Sequence, residues 1–354
     1  MRVTYIKNPA LLFLLLTTQA TSQHVLRGRV IDAATRAPLG SANVFIAGTT
    51  RGTSTDSLGR YLLTAIPRGS YDVVASLVGY QFASLAARFG AAETVVLDFA
   101  LRARILLAEE VQSTGTHHED WQENLKRFRS QFLGKDELAE ACTLLNGGVV
   151  EFDRNEETGV LTAQSDSVIL IDNRALGYRL QVFLQEFRWD EREGGLFCRQ
   201  YVLLIPLPPA DPMERVRWDE NRSRVYRGSR PHFLQSLFAG RSLEEGFRVY
   251  AGTPEELANG HGLFQSPEAT EFLQHQGPDL ARLSFPGYVR VDYRHGDLAG
   301  SSIITLQWGD ILFDPNGVVM DPKFITVLDR SAWAHERLSR LLPIDYRPAG
   351  IHGR

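Results

Sequence analysis

The sequence predicts a multidomain protein, with an N-terminal all-β Greek-key-type sandwich followed by an α+β domain with an antiparallel sheet. Short alternating strands separated by glycine, proline and aspartate turns fill the first part of the chain. Amphipathic helices and longer strands, gathered in blocks, follow in the second part. The 354 residues, of which 44% are hydrophobic, are enough for two cores.

Residues 1–22 predict a secretory signal peptide. Arg2 and Lys7 precede a short apolar run at 10–16, and Ala20 and Ser22 stand at the −3 and −1 positions of a cleavage site. The apolar run is too short to span a bilayer, and no second long run follows it. We therefore expect an exported protein, in the periplasm or at the outer membrane or cell surface, with no transmembrane span in the mature chain.

The composition argues against several classes of function. The net charge is −4 and the basic residues are dispersed, so nucleic acid is not an expected partner. The chain has no H-E-x-x-H, G-x-S-x-G, phosphate-loop or EF-hand pattern, so no metal or other cofactor is predicted. Cys142 and Cys198 are the two cysteines, and spacing alone leaves open whether they form a disulfide.

Residues 24–104 carry the strand and turn signals of the sandwich. Alternate apolar residues predict two strand faces: Tyr71, Val73, Ala75 and Leu77 in one strand, and Val95, Leu97, Phe99 and Leu101 in another. Asp56 is expected to form an Asx-turn, and Gly59 to adopt a positive φ in the same turn.

The segment GRVIDAATRAPLGSANVFIAGTTRGTSTDSLGRYLLTAIPRGSYDVVASLVGY resembles the carboxypeptidase-regulatory-like domain. This resemblance implies a prealbumin-type sandwich of about seven strands. In the metallopeptidases that give the domain its name it is non-catalytic, and in Bacteroidota it also precedes outer-membrane receptors. The resemblance therefore implies a fold but assigns no activity.

A linker at 105–120 is expected to lead into an α+β domain at 121–346. A helix is predicted to begin near Glu119, where Trp121, Leu125, Phe128 and Phe132 form one stripe, and to end at Gly134. His117 and His118 lack the spacing of zinc ligands, so the segment THHEDW is interpreted as solvated. Strand-like runs follow, with a hairpin at Gly194–Gly195.

The stretch WDENRSRVYRGSRPHF, residues 218–233, holds the candidate ligand-binding residues. Asp211, Pro212 and Glu214 predict the start of a helix, and Gly228 predicts its end. The candidates are Trp218, Arg222 and Tyr226 on one face of that helix, together with His232.

Two interpretations of these four residues stay open. In the first, Arg222 is a buried strut that stacks on Trp218 and Tyr226 and finds its hydrogen-bond acceptors in a neighbouring element. In the second, Arg222, Tyr226 and His232 line a pocket for an anionic or sugar-like ligand. The helical spacing of the aromatic residues favours the first.

The remaining signals complete the α+β domain. Ser229 is expected to cap the next helix rather than to act as a nucleophile with His232, so no catalytic residue is predicted. Residues 314–317, Asp-Pro-Asn-Gly, predict a tight turn. A last amphipathic helix is predicted to contain Trp333, Ala334, Leu338 and Leu341 and to stop at Pro343.

Nearly all of the mature chain resembles a family of exported Bacteroidota proteins that carry this sandwich at the N-terminus. The resemblance depends on FRSQFLG with Cys142, GVLTA, IDNRALGY, WDENRSRVYRGSRPHFLQSL, EEGFRVY and LLPIDYRP. It implies a compartment and an architecture. We therefore expect a non-enzymatic cell-envelope protein that binds or scaffolds a partner protein or a glycan or cell-wall ligand. The alternative is a hydrolase, a peptidase or glycosidase, whose site is assembled from distant positions.

Overall fold

The computed structural model describes residues 24–90, 94–104, 115–266, 272–320, 325–327 and 331–348, with the side chains of 115–119 outside the description. The predicted signal peptide lies outside these residues, as do residues 105–114 of the predicted linker and the side chains of His117 and His118. Antiparallel sheets dominate the described chain, which has five α-helices. The predicted fold class is confirmed.

The N-terminal unit is a sandwich of two four-stranded sheets. Its strands are β1 (His24–Asp32), β2 (Asn43–Ile46), β3 (Gly52–Ser54), β4 (Arg60–Ile66), β5 (Gly69–Ser76), β6 (Ala83–Phe89), β7 (Thr94–Val96) and β8 (Phe99–Leu101). One sheet has the order β4-β1-β7 with β8 also on β1, and the other has the order β3-β2-β5-β6. Inward side chains such as Val30, Val73 and Phe99 form the core between the sheets.

The turn predicted at Asp56 and Gly59 is confirmed. The Asp56 carboxylate accepts hydrogen bonds from the backbone N–H groups of Leu58 at 2.9 Å and Arg60 at 2.8 Å. Gly59 has a φ of 70°. A left-handed residue and an Asx-turn together reverse the chain tightly enough for β4 to pair with β1.

A second core forms between helix α1 and a six-stranded sheet. Its elements are α1 (Gly115–Phe132), α2 (Glu137–Glu140), β9 (Cys142–Leu144), β10 (Val150–Asn155), β11 (Val160–Ser165), β12 (Ile169–Asn173), β13 (Tyr178–Asp190), β14 (Leu196–Pro206) and α3 (Pro212–Tyr226). The sheet order is β10-β11-β13-β12-β9, and β14 pairs with β13 along almost its whole length. Phe128 and Phe132 of α1 pack against Phe187 of β13, as the apolar stripe of α1 predicts.

Helix α1 begins at Gly115, earlier than the predicted start near Glu119. The prediction relied on the apolar stripe, which starts only at Trp121. The polar residues before Trp121 carry no such stripe, so periodicity did not detect the first turn of the helix.

A third core lies beyond α3. Its elements are α4 (Arg230–Phe238), β15 (Phe247–Gly252), α5 (Pro254–Ala258), β16 (Leu263–Gln265), β17 (Leu273–His275), β18 (Ala281–Ser284), β19 (Tyr288–His295), β20 (Leu298–Leu306), β21 (Asp310–Phe313) and β22 (Ile325–Val327). These strands form a sheet of order β16-β15-β19-β20-β22 and a sheet of order β17-β18-β21. Phe233, Leu234 and Leu237 of α4 pack into this core.

The predicted last helix is wrong. Residues Ala332–His335 and Leu338–Arg340 form two short 3-10 turns, and Glu336 and Arg337 between them have extended backbone. Tertiary contacts override the helical periodicity: the Trp333 indole N–H donates to the carbonyl of Gly228 at 2.8 Å, and Glu336 accepts the N–H of Arg230 at 3.0 Å. These contacts hold the segment against α4 rather than in a continuous helix.

Candidate functional site

Helix α3 has the ends that the sequence predicts. The Asp211 carboxylate accepts the N–H of Glu214 at 2.7 Å, and Pro212 occupies the first helical position. The helix ends before Gly228, whose φ is 78°. Trp218 and Tyr226 are buried on its inner face, so the face that carries the candidate residues points into the protein.

Three side chains of α3 bind the loop that joins β12 to β13. The Trp218 indole N–H donates to the carbonyl of Arg174 at 2.6 Å. The Asn221 amide donates to the carbonyl of Ala175 at 3.0 Å, and the Arg222 guanidinium donates to the carbonyl of Leu176 at 2.8 Å. Three successive backbone acceptors are thereby satisfied by one helix face, and α3 is fixed to the sheet of the second core.

The Arg222 guanidinium is held between two aromatic rings. Its central carbon lies 4.4 Å from the Tyr178 ring centroid and 5.9 Å from that of Trp218. Asp219 accepts a further hydrogen bond from it at 3.1 Å, and only 16% of the Arg222 side chain is exposed. The first interpretation is therefore the one that the contacts support, with one correction: Arg222 stacks on Tyr178 of the sheet instead of Tyr226.

Tyr226 points toward the third core. Its hydroxyl donates to the side-chain oxygen of Gln235 at 2.6 Å, and its ring lies 5.9 Å from the ring of Tyr346. Burial raises the pKa of Tyr226 to about 12, so the hydroxyl stays a donor at neutral pH. Arg222 and Tyr226 share a helix face but have different partners, since Arg222 contacts Tyr178 and Leu176 whereas Tyr226 contacts Gln235 and Tyr346.

His232 is buried, with 1% of its surface exposed, and both ring nitrogens have partners. Its Nδ1 accepts the backbone N–H of Gly228 at 3.0 Å, which requires Nδ1 to be unprotonated. Nε2 therefore carries the proton in the neutral ring and donates to the Glu245 carboxylate at 2.8 Å. Ser229 contacts the backbone N–H of His232 as the helix cap, so the predicted cap is confirmed and the imidazole faces Glu245 instead.

The charges around His232 favour the neutral ring. Burial lowers the pKa of His232, and the hydrogen bond and negative charge of Glu245 oppose that effect without cancelling it. Arg227 and His295 lower the pKa of His232 further. Burial alone would raise the pKa of Glu245, but its contacts with His232 and Arg241 leave it lowered.

Acid should destabilise the protein through His232. Its pKa is lower folded than unfolded, so the unfolded chain binds the proton first and stability falls as the pH drops below about 6.5. Glu245, with its lowered pKa, adds to the loss in more acidic solution. Urea unfolding at pH values of about 7.5 and 5.5 should show a smaller difference for His232→Gln than for the wild type. Exposed His261→Gln should keep the wild-type difference, and equal differences in all three proteins would contradict the assignment.

A buried polar network continues from Gln235 into the sandwich. The Gln235 amide donates to the backbone carbonyl of Asn316 at 2.8 Å. The Asn316 amide in turn donates to the carbonyl of Arg68 at 2.8 Å and to the Tyr71 hydroxyl at 3.2 Å. Arg347 donates to the Asn316 side-chain oxygen at 3.3 Å. One asparagine therefore bridges the third core, the sandwich and the C-terminal segment.

Asp314 fastens the sandwich at the same place. It is 0% exposed, and its carboxylate accepts the N–H groups of Ser70 at 2.8 Å and of Asn316 and Val318 at 2.9 Å. Burial raises the pKa of Asp314, against the effect of these three donors. Sequence reasoning recognised Asp314 and Asn316 only as turn residues. In the sequence, the polar residues Asp314 and Asn316 of this turn were the one available indication that it binds another part of the chain.

A second contact joins the sandwich to the sheet of the second core. Residues Thr49 and Leu203 form a parallel bridge, and Gly48 N–H donates to the carbonyl of Val202 at 2.7 Å. The rings of Phe45 and Phe183 lie 5.1 Å apart in a small apolar cluster beside the bridge. We call the two contacts together the junction: the Asp314–Asn316 network and the Thr49–Leu203 bridge with its apolar cluster.

The disulfide considered between Cys142 and Cys198 is not formed, because both cysteines are free. Cys142 pairs with Asn173, which lies opposite Tyr178 at one end of β13, whereas Cys198 lies opposite Phe187 near the other end. This spacing far exceeds the Cα separation of about 4.4–6.8 Å that a disulfide needs. Burial raises the pKa of each thiol to about 12.

The described part of the chain lacks two features. Within it, no three His, Cys, Asp or Glu side chains are grouped so as to hold a metal ion. No helix in these same residues is long and apolar enough to cross a bilayer.

Comparison with known proteins identifies the sandwich. Residues 26–112 match the family model of the CarboxypepD_reg-like domain. The N-terminal unit thus matches the carboxypeptidase-regulatory-like domain, as the sequence resemblance implied. A search of curated proteins found no match.

Several solved structures show distant likeness. The major pilin subunit BcpA of Bacillus cereus is 14% identical, with a TM-score of 0.20, and the match covers 23% of this chain and 30% of the pilin. A mutant type II cohesin–X-dockerin complex of Acetivibrio cellulolyticus is 23% identical over 29% of this chain and 72% of that chain, with a TM-score of 0.21. The 3-chlorocatechol 1,2-dioxygenase of Rhodococcus opacus is 13% identical over 25% of this chain and 62% of that chain, with a TM-score of 0.21.

Proposed function

We propose that this protein is an exported, non-enzymatic protein of the cell envelope that binds a partner protein. The observation that carries the proposal is that the four candidate residues are already engaged in contacts within the protein. Trp218 and Arg222 bind the β12–β13 loop, Tyr226 binds Gln235, and His232 binds Gly228 and Glu245. These side chains hold the fold together, so recognition falls to outer surfaces.

The junction supports a scaffolding role for the sandwich. The hydrogen bonds that Asn316 donates and Asp314 accepts, together with the Thr49–Leu203 bridge, attach the sandwich to both other cores. A domain tethered by a flexible linker would lack such buried polar contacts. The sandwich therefore presents its outer sheet faces in a fixed orientation to a partner.

Export is proposed from residues 1–22. A fusion of these residues to a reporter enzyme that is active only outside the cytoplasm should be active. Replacing Leu14 and Leu15 in the apolar run by arginine should abolish that activity, because a charged run is not recognised as a signal peptide. Equal reporter activity in both fusions would remove the proposal of export by this segment.

Partner binding is tested with the mature chain as bait in cross-linked envelope extracts. We expect a discrete protein to be recovered by the wild type and to be recovered less well by Asp314→Ala, in which the sandwich is loosened. Purified wild-type protein is assayed in parallel on peptide and glycan substrates. Turnover of either substrate, abolished by a point substitution, would contradict the non-enzymatic proposal and favour a hydrolase.

A further inference from the structure

A groove of about 350 Å³ lies beside the C-terminal half of helix α1. Its apolar side consists of Leu125, Leu133 and Ala139. Leu133 and Ala139 are buried, and Leu125 packs partly against the second core. Gly134, with a φ of 106°, ends α1 and turns the chain toward α2, which brings Ala139 to the groove.

Three exposed cations border this groove. Lys126 and Arg129 lie on α1, Lys135 follows Gly134, and Glu140 is the acidic residue among the lining side chains. Within the described residues, none of the three cations has an ion pair or a side-chain hydrogen bond. The lining thus has three positive charges and one negative charge, in a chain whose net charge is −4.

Two acids close to these cations in sequence are engaged elsewhere, and the exposed Glu137 is not among the lining residues. Asp136 caps α2 by accepting the N–H of Ala139 at 3.0 Å and binds the Arg340 guanidinium at 2.9 Å. Glu123 pairs with Arg127 on an adjacent part of α1 at 3.1 Å. The positive charge of the groove is therefore not neutralised by these neighbours.

We propose that this groove binds an acidic peptide segment of a partner protein. An apolar side chain of the peptide would lie on Leu125, Leu133 and Ala139, and its carboxylates would pair with Lys126, Arg129 and Lys135. The volume lies at the low end of the range for ligand pockets, roughly 300–1,000 Å³, and suits a short anchor rather than a long helix. This inference rests on the proposed partner-binding function and assigns the site and the chemistry of the partner.

Charge complementarity favours a peptide of this composition. Carboxylates can bind arginine through two parallel hydrogen bonds, and a local positive patch attracts an acidic segment from a distance. The partly exposed Leu125 adds a requirement that charge alone does not impose, because a purely polar acidic peptide leaves its exposed part in contact with water. Binding should therefore need both acidic and apolar residues in the peptide.

The test uses labelled hexapeptides and the full mature chain in fluorescence-polarisation titrations. The acidic–apolar probe EELFEE should bind, and binding should weaken as the salt concentration rises from about 50 to about 300 mM. The probes EESGEE, without an apolar anchor, and KKLFKK, with reversed charge, should each bind at least about tenfold more weakly, a change equivalent to about 1.4 kcal/mol. Equal binding of the three probes, or no binding of EELFEE, would overturn the proposal.

A matched pair of charge-reversal variants locates the binding. The double variant Lys126→Glu/Arg129→Glu should lose at least about tenfold in affinity for EELFEE. The double variant Arg215→Glu/Arg217→Glu changes net charge equally at exposed positions on α3 and should bind like the wild type. Equal losses in both variants would indicate a general charge effect and would contradict the groove. Because all four positions are exposed, both variants should retain the wild-type melting temperature.

Two further results separate this inference from the proposed function. If the groove variant recovers the envelope partner as well as the wild type, the groove assignment is wrong while partner binding stands. If the wild type recovers no partner, partner binding fails, and the peptide titrations still decide what the groove binds. If the protein bound anionic lipid vesicles but not EELFEE, the proposal of a peptide ligand would be overturned. The positive charge of the groove would then be assigned to binding a membrane surface.

Discussion

Replacing Gly177 by alanine is expected to cause one of the two largest losses of stability among the substitutions considered. Gly177 has a φ of 70°, and an added Cβ would lie 2.4 Å from two ring atoms of Trp218 and 2.9 Å from the Arg222 guanidinium. The left-handed backbone costs an alanine about 1–2 kcal/mol, and overpacking of this contact adds about 1–3 kcal/mol or more. We expect the free energy of unfolding to fall by roughly 2–5 kcal/mol in urea denaturation.

Gly287→Ala is the matched control for Gly177→Ala. Gly287 has a φ of 69°, and a Cβ added there would meet no atom within 4 Å. The control therefore carries the backbone penalty without the clash and should lose only about 1–2 kcal/mol. Equal losses in the two variants would mean that the packing of α3 on the β12–β13 loop does not matter to stability.

Asp314→Ala should cause the second large effect. Removing the carboxylate leaves the buried N–H group of Asn316 and the partly buried N–H groups of Ser70 and Val318 without their acceptor. Each buried donor left unsatisfied costs about 1–3 kcal/mol, so we expect a loss of about 3–5 kcal/mol after partial relaxation. In hydrogen exchange, the Ser70 amide should be the first to lose its protection. Its bond to Asp314 joins the sandwich to the third core, and the substitution removes that bond.

Asp56→Ala is the control for the loss of a turn carboxylate. Asp56 also accepts backbone N–H groups, from Leu58 and Arg60, but it lies at an exposed turn within the sandwich. Water can replace those bonds, so the loss should be about 1 kcal/mol and the Ser70 amide should stay protected. A Ser70 amide that stays equally protected in Asp314→Ala would contradict the role given to Asp314.

Local features were predicted from the sequence where one segment determines them. The caps at Asp211 and Ser229, the helix end at Gly228 and the turn at Asp56 follow from side-chain chemistry within a few residues. The apolar stripe of α1 likewise identified its buried face. The burial of Trp218 and Tyr226 agreed with the helical spacing, which favoured packing over a pocket.

Long-range partners were not predictable from one sequence. No local pattern indicates that Arg222 stacks on Tyr178, that Asp314 binds Ser70 or that His232 binds Glu245. Periodicity also failed at the C-terminal segment, where contacts of Trp333 and Glu336 with the region of α4 replace a helix by two short turns. The sequence likewise did not distinguish the two hydrophobic cores that lie within residues 121–346.

The central claim is that the candidate residues of α3 hold the fold together, and the melting temperature of Arg222→Ala tests it most directly. The variant loses the hydrogen bond to Leu176 and the stacking on Tyr178, together worth about 2–4 kcal/mol. Arg224→Ala is the control, because Arg224 lies on the exposed face of the same helix. We predict a drop of several degrees for Arg222→Ala and almost none for Arg224→Ala. An unchanged melting temperature for Arg222→Ala would contradict the claim and make this face of α3 a site for ligand binding.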